Sequence, residues 1–330
     1  MTTISAKVIA DSISPQGIRL TTMQLRYPRW IHSEFNTHRA FSRNASSSRA
    51  VPVEKLIADV ERDPAVPLFW GKNQNGMQAS EECNERVCSW DFGSPPNQYK
   101  GGGNFWEREF AWLFARDNAV KMARAFITAD YHKQIVNRLL EPFSHINVVV
   151  TATDWANFYA QRCHPAAEPH MQMLAEAMRK AQGESTPVRL VPGQWHLPYV
   201  TPEEWIDQTC NDSLCEMIGG RLPTAVATVV KVSVARCARV SYLTTEGKPP
   251  TVEADLALYE KLVGSRPMHA SATEHQATPD EFEDGPVVEA VDDDGSRWRQ
   301  VVGYQHPELH GNLRGWIQHR KTLPEECTRD

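Results

Sequence analysis

Apolar positions along this chain switch between a two-residue and a 3.6-residue period, and each switch marks an element. Ile18, Leu20, Thr22 or Met23 and Leu25 roughly alternate with polar residues, predicting a strand over Ile18 to Arg26 that stops where Pro28 interrupts the ladder. A polar loop from Ser42 to Ser48 leads through Val51 and Pro52 into a helical pattern over Val53 to Glu61. Gly71 to Gly103 is rich in Gly, Asn and Pro and reads as loop with one short helix around Glu81 to Trp90. Asn104 is placed to N-cap a long helix, since Phe105, Trp106, Phe110, Leu113, Phe114, Val120 and Met122 keep returning to one face. His132 to Leu140 continues as a shorter helix before Pro142, and Ile146 to Thr153 is a β-branched run of the buried-strand type. Asp154 then caps a turn of helix carrying Asn157 and Arg162, and Glu168 to Gln182 forms a further helix ended by Gly183.

The second half opens on a linker-like run, Gly183 to Pro202, with four prolines. Thr201-Pro202-Glu203-Glu204 starts a helix reaching about Met217. Val226 to Arg239 fits either a strand or a helix, whereas Leu256, Tyr259 and Leu262 make Val252 to Val263 an amphipathic helix. Asp280 to Asp294 is acidic and turn-rich and reads as a solvated excursion. The segments divide into 1–185, a linker and helix over 186–222, and a second half over 223–330. They predict an α+β fold with a mixed or antiparallel sheet and many helices.

Composition narrows the functional classes. With 41% apolar and 23% charged residues in 330, the chain has the make-up of a globular protein with one large or two modest cores. A balance of 35 Lys and Arg against 41 Asp and Glu, net −6, argues against broad attraction to nucleic acid or anionic membrane. Any phosphate is then met by a local basic pocket. The first residues lack a basic segment followed by an apolar core, and no apolar run approaches about 18 residues, so a soluble cytoplasmic protein is expected. Seven cysteines, an odd number, fit free thiols in a reducing compartment.

The stretch Asn36 to Arg49 concentrates three arginines, a histidine and many hydroxyls. Guanidinium forks, serine hydroxyls and free loop amides are the groups that wrap phosphate oxygens; the alternative is a solvated polar loop. The spacing resembles the signature of the flavin-dependent thymidylate synthases, R-H-R-x-x-S-x-N-E-x-S-x-R-Y, here T-H-R-A-F-S-R-N-A-S-S-S-R-A. His38, Arg39, Ser42, Asn44, Ser47 and Arg49 match, while Thr37, Ala45 and Ala50 replace the family's Arg, Glu and Tyr. Asn137-Arg138-Leu139-Leu140-Glu141-Pro142 and Asn157-Phe158-Tyr159-Ala160-Gln161-Arg162 follow in the family's order. Pieces similar to the family's amino-terminal motifs come late, as Ala238-Arg239-Val240-Ser241-Tyr242 and Ala272-Thr273-Glu274-His275. Arg314-Gly315-Trp316-Ile317-Gln318-His319-Arg320 is similar to a second, degenerate copy of the His-Arg loop. The order is that of a permuted or partly duplicated synthase.

The resemblance implies a flavin-dependent thymidylate synthase fold with rearranged segments, and reductive methylation of dUMP to dTMP. FAD is the implied cofactor, with NADPH and methylenetetrahydrofolate as co-substrates. Ser46, Ser47, Ser48, Arg49, Arg138 and Arg162 are implied to bind dUMP, with Arg162 also catalytic through ionisation of the uracil ring. His38, Arg39, Asn44, Asn157, His275, His319 and Arg320 are implied to face the flavin. The family's sites are shared between subunits, so a homo-oligomer is implied, a tetramer or, if the duplication is functional, a dimer. No metal is expected.

Other readings compete. The departures at Thr37 and Ala45 leave open another pyrimidine nucleotide, or transfer of hydroxymethyl in place of methyl. Cys163-His164 resembles the nucleophile of the folate-only synthases, against the reading of a structural thiol. Cys83-x4-Cys88 and Cys210-x4-Cys215, with His164, His170 and His196, have a spacing used by zinc sites, against core-facing cysteines. Ten tryptophans leave a non-enzymatic nucleotide or nucleic-acid binding protein as the alternative of another class.

Overall fold

The computed structural model describes residues 3–76, 78–89, 104–204, 224–240, 250–283, 288–291, 297–300, 303–324 and 326–327. Its centre is a five-stranded mixed sheet in the order β3-β6-β2-β1-β7. The strands are β1 Ser5–Ile13, β2 Arg19–Pro28, β3 Ser42–Ala45, β6 His145–Ala152 and β7 Val188–Arg189, all antiparallel to their neighbours except β7, which runs parallel to β1. Small two-stranded pieces surround it: β4 Val87–Ser89 with β5 Asn104–Trp106, β8 Ala277–Pro279 with β11 Trp316–Gln318, and β9 Val288–Val291 with β10 Arg297–Gln300. The helices are α1 His32–Phe35, α2 Val53–Arg62, α3 Arg108–Thr128, α4 Lys133–Val136, α5 Ala156–Arg162, α6 Pro169–Glu184, α7 Thr224–Arg239, α8 Val252–Val263 and α9 His319–Thr322. An α+β fold with a mixed sheet and many helices is what the periodicity predicts. No helix among the described residues is long and apolar enough to cross a membrane.

Strand β6 is covered on both faces. Ile146, Val148, Val150 and Ala152 pack with Met23, Leu25, Phe158 of α5 and Met171, Leu174 and Met178 of α6. Val149 instead joins Tyr199, Val234 and Cys237 of α7, and Tyr259 and Val263 of α8. A run of β-branched residues suits this position because alternate side chains find a core on each side.

Several elements depart from the sequence pattern for identifiable reasons. Ser42–Ala45, read as loop, is an edge strand whose amides pair with β6. Asn104 does not stand at the start of α3: Asn104–Trp106 pairs with Val87–Ser89, and α3 begins at Arg108, behind Glu107. Residues 81–86 form no helix, because Val87–Ser89 is drawn into that same hairpin. Asp154 is not a cap; Trp155 precedes α5. After α4 the chain tightens into a 3-10 segment, Asn137–Phe143, that accommodates Pro142. Gly183 lies within α6, and the linker run contributes β7. The 226–239 segment is helical, and the helix beginning at Pro202 passes beyond the described residues, as do Ser241, Tyr242, Trp90, Trp205, Cys210 and Cys215. Asp280 is not solvated: it is fully buried, accepts from His310 Nε2 and the His306 amide at 2.9 Å each, and neighbours a hairpin that occupies part of the acidic stretch.

One ion cluster ties the second half together. The guanidinium of Arg236 on α7, fully buried, donates to Asp255 on α8 at 2.9 Å, to both carboxylate oxygens of Glu204 at 2.7 and 2.6 Å, and to the Tyr199 carbonyl at 2.7 Å. Asp255 also accepts from Arg239. Removing one partner of such a cluster strands a charge in the interior, so Asp255→Ala should destabilise the fold by about 3–5 kcal/mol. Chemical denaturation followed by circular dichroism measures it, and a loss under about 1 kcal/mol would contradict this account.

Candidate functional site

The turn after α1 and the outward face of α5 enclose a cavity of about 350 Å³ lined by residues 37–41 and by Asp154, Asn157, Phe158, Gln161 and Arg162. Its α5 side reads i, i+3, i+4, i+7, i+8 from Asp154, which is one face of a helix. The opposite wall is set by rings: His38 lies edge-on to Phe158 at 4.8 Å, and Phe41 contacts Phe158 at 5.2 Å and Trp155 at 4.7 Å. Arg43 fixes the turn by donating to the carbonyls of Phe35 and His38 at 3.1 and 2.9 Å. Asn312 donates to the Ala40 carbonyl at 3.0 Å and accepts from the Ser42 hydroxyl and the Gln318 amide, so the segment before β11 buttresses the same turn. Arg314 meets Asp154 at 3.2 Å on the rim.

Arg162 closes α5 and is held from two sides. Its Nε donates to His38 Nε2 at 3.1 Å, and one terminal nitrogen pairs with Glu34 Oε1 at 2.5 Å. The first bond requires an unprotonated Nε2, and burial, with Arg162 and Arg43 nearby, lowers the His38 pKa to about 4. A cation is thus clamped at a cavity wall between a carboxylate and a neutral imidazole. Arg39 is exposed at the mouth.

The structure gathers the sequence-predicted residues in three places. His38, Arg39, Asn157 and Arg162 share this cavity. None of Ser46, Ser47, Ser48, Arg49 and Arg138 lines it, and Ser48 and Arg138 meet at Glu141. Glu141 accepts from Ser48 Oγ at 2.6 Å and from Arg138 at 2.9 and 3.1 Å, Ser46 Oγ accepts from the Asn147 amide, and Ser47 and Arg49 are exposed. His275, His319 and Arg320 belong to the packing of the second half. His275 is fully buried, bonded through Nδ1 to Thr151 Oγ1 at 2.8 Å, with its pKa lowered to about 3 by burial and by His196. His319 sits against Tyr259 and Trp195, and Arg320 is paired with Glu274 and Glu326. Asn44 is committed to the Cys237 and Ala238 carbonyls and the Ser271 hydroxyl.

The sequence pattern offers Asp154 only as a cap and Gln161 only within a motif, and it does not point to Glu34 at all. The helical stripe from Asp154 to Arg162 carries the signal for Asp154 and Gln161, whereas Glu34 is visible only once the turn is folded. Burial pushes the Cys163 thiol up, opposite to the shift that activates a nucleophile. His170 is engaged by Glu168 and the Leu68 amide, His196 by Ser12 and Thr22, and among the described residues no three His, Cys, Asp or Glu side chains converge as metal ligands.

No protein-family model and no curated protein matches the chain. Among solved structures, the UMP/dUMP methylase PolB from Streptomyces cacaoi bound with 5-Br UMP aligns over 56% of this chain and 90% of that one, at 14% identity and a TM-score of 0.37. The flavin dependent thymidylate synthase ThyX from Helicobacter pylori, complexed with FAD and dUMP, aligns over 49% of this chain and 67% of that one, at 16% identity and a TM-score of 0.31. The chain is similar in structure to both.

The His38 pKa sets a pH test. An imidazole with a folded-state pKa near 4 and an ordinary unfolded value of about 6.5 favours the folded state above pH 6.5, and this contribution is lost as pH falls towards 4. Nitrogen-15 imidazole spectra should show His38 Nε2 unprotonated at pH 5.5. A titration midpoint above 6 would refute the clamp.

Proposed function

We propose that the chain is an enzyme that methylates the pyrimidine ring of dUMP in a flavin-dependent reaction, with the cavity between the His38 turn and α5 at its centre. The observation that carries the reading is the convergence there of His38 and Arg39 from one family-like motif with Asn157 and Arg162 from another. The two motifs are more than a hundred residues apart in sequence, and the fold brings them to opposite walls of one cavity.

The residues suit the groups concerned. Flat aromatic walls from Phe41 and Phe158, amides at Asn157 and Gln161, and guanidinium groups at Arg39 and Arg162 match a conjugated ring system with carbonyl oxygens and phosphates. His38, Arg39 and Asn157 would hold the flavin. Reduced FAD, restored by NADPH, would supply reducing equivalents for converting a methylene group from methylenetetrahydrofolate into the methyl group at uracil C5. Arg162 has Nε and one terminal nitrogen committed to His38 and Glu34, which leaves its other terminal nitrogen to donate to a pyrimidine carbonyl oxygen. There the cation stabilises negative charge developing on the ring. Glu34 positions the guanidinium, and neutral His38 adds no second positive charge beside it. Cys163 has no part in this scheme.

Purified protein mixed with FAD and desalted should retain a flavin spectrum that shifts on adding dUMP. Arg162→Ala should weaken the dUMP-induced shift about 10- to 100-fold, the loss of one charge-assisted hydrogen bond from a wall of the site. Cys163→Ala should keep turnover, read as dTMP by mass. Absence of bound flavin, or abolished turnover in Cys163→Ala, would overturn the reading.

A further inference from the structure

A second cavity, of about 450 Å³, opens on the opposite edge of the central sheet, lined by residues 9–12 of β1, 188–190 at β7, and 194–197 and 200–202 of the following segment. It shares no residue with the cavity at Arg162. Its surface is apolar through Ile9, Val188, Leu190, Leu197, Val200 and the Trp195 ring, which gives it the character of a small-molecule pocket.

The side-chain acceptors around it are already engaged. Asp11 accepts from Arg19 Nε at 2.9 Å and Thr21 Oγ1 at 3.2 Å, with its other oxygen on Arg19 at 2.5 Å. Both ring nitrogens of His196 are bonded, to Ser12 and Thr22 at 2.8 Å each. Gln194 Oε1 accepts from the Val191 amide, and Thr201 Oγ1 accepts from the Glu204 amide. The donors are a different matter. Trp195 is 8% exposed, and its indole N–H is buried without a hydrogen-bond partner. The Arg189 side chain is exposed and forms no hydrogen bond or ion pair among the described residues, and the Gln194 side-chain amide nitrogen is likewise unengaged. The indole N–H is closed off from solvent, whereas an unpaired guanidinium beside an apolar wall is the group with which a ligand carboxylate pairs.

We propose that this cavity is a second ligand site, for a flat aromatic carboxylate. The ring would lie on the apolar wall beside Trp195, and the carboxylate would pair with the Arg189 guanidinium. The inference stands independently of the reaction assigned to the first cavity, because it uses none of its residues.

The test is a titration of the full chain, labelled with nitrogen-15 at its tryptophan indoles, with 2-naphthoate as probe. The Trp195 indole resonance, assigned by its absence in Trp195→Phe, is expected to shift saturably. Arg189→Ala should weaken binding at least fivefold, and neutral 2-naphthalenemethanol should bind at least fivefold more weakly than 2-naphthoate. Excess dUMP with FAD should not displace the probe. No saturable shift at Trp195, equal affinity for the neutral probe, unchanged affinity in Arg189→Ala, or displacement by dUMP would each overturn the proposal. Arg189 is exposed, so that variant keeps the test decisive even if Trp195→Phe folds poorly.

Discussion

Strand β6 has protein on both faces, and this constraint organises the rest of the molecule. One face of the strand seals the layer that contains α5 and α6, and the other seals the layer that contains α7 and α8. From Val148 to Ala152 the strand is buried throughout, so the hydroxyl of Thr151 has to be satisfied internally. Thr151 does this by joining Thr22 at 2.7 Å and His275 at 2.8 Å, and Thr22 passes the chain of bonds to His196 and Ser12. The two layers are thereby joined by a polar seam through an otherwise apolar sheet.

The position of the cavity follows from the same strand. Its carboxyl end runs directly into α5, so the register of Val148, Val150 and Ala152 against the core fixes where Asn157 and Arg162 emerge. On the neighbouring edge, β3 pairs with β6 through Ser42 to Ala45, which sets the direction of the turn carrying His38 and Arg39. Two walls of one pocket are therefore anchored to a single buried strand, the rigid support that a binding site requires.

Much of this was legible in the residues themselves. The β-branched run at 146–153 and the spacing of Leu256, Tyr259 and Leu262 are local signals, and the structure follows them almost residue for residue. The elements that escaped notice are those whose own residues do not alternate cleanly and that are fixed by a pairing partner. Ser5–Ile13, interrupted by Lys7 and Asp11, becomes a strand because β2 pairs with it, and Asp11 is tolerable inside only because Arg19 neutralises it. Asn104 has the chemistry of a cap, but a strand partner at Val87–Ser89 outcompetes that use. At the cavity, the Arg and His types were readable, whereas Glu34 acquires meaning only when a bond spanning 128 positions forms.

The buttress supplied by Asn312 has a consequence for biogenesis. Its bond to the Ala40 carbonyl spans 272 positions, so the turn bearing His38, held locally by Arg43, lacks this second support until Asn312 has left the ribosome. Closing a contact over such a separation is slow and is rewarded only by cooperative docking of the whole second half. A chain arrested midway therefore holds both walls of the pocket without the buttress that steadies one of them.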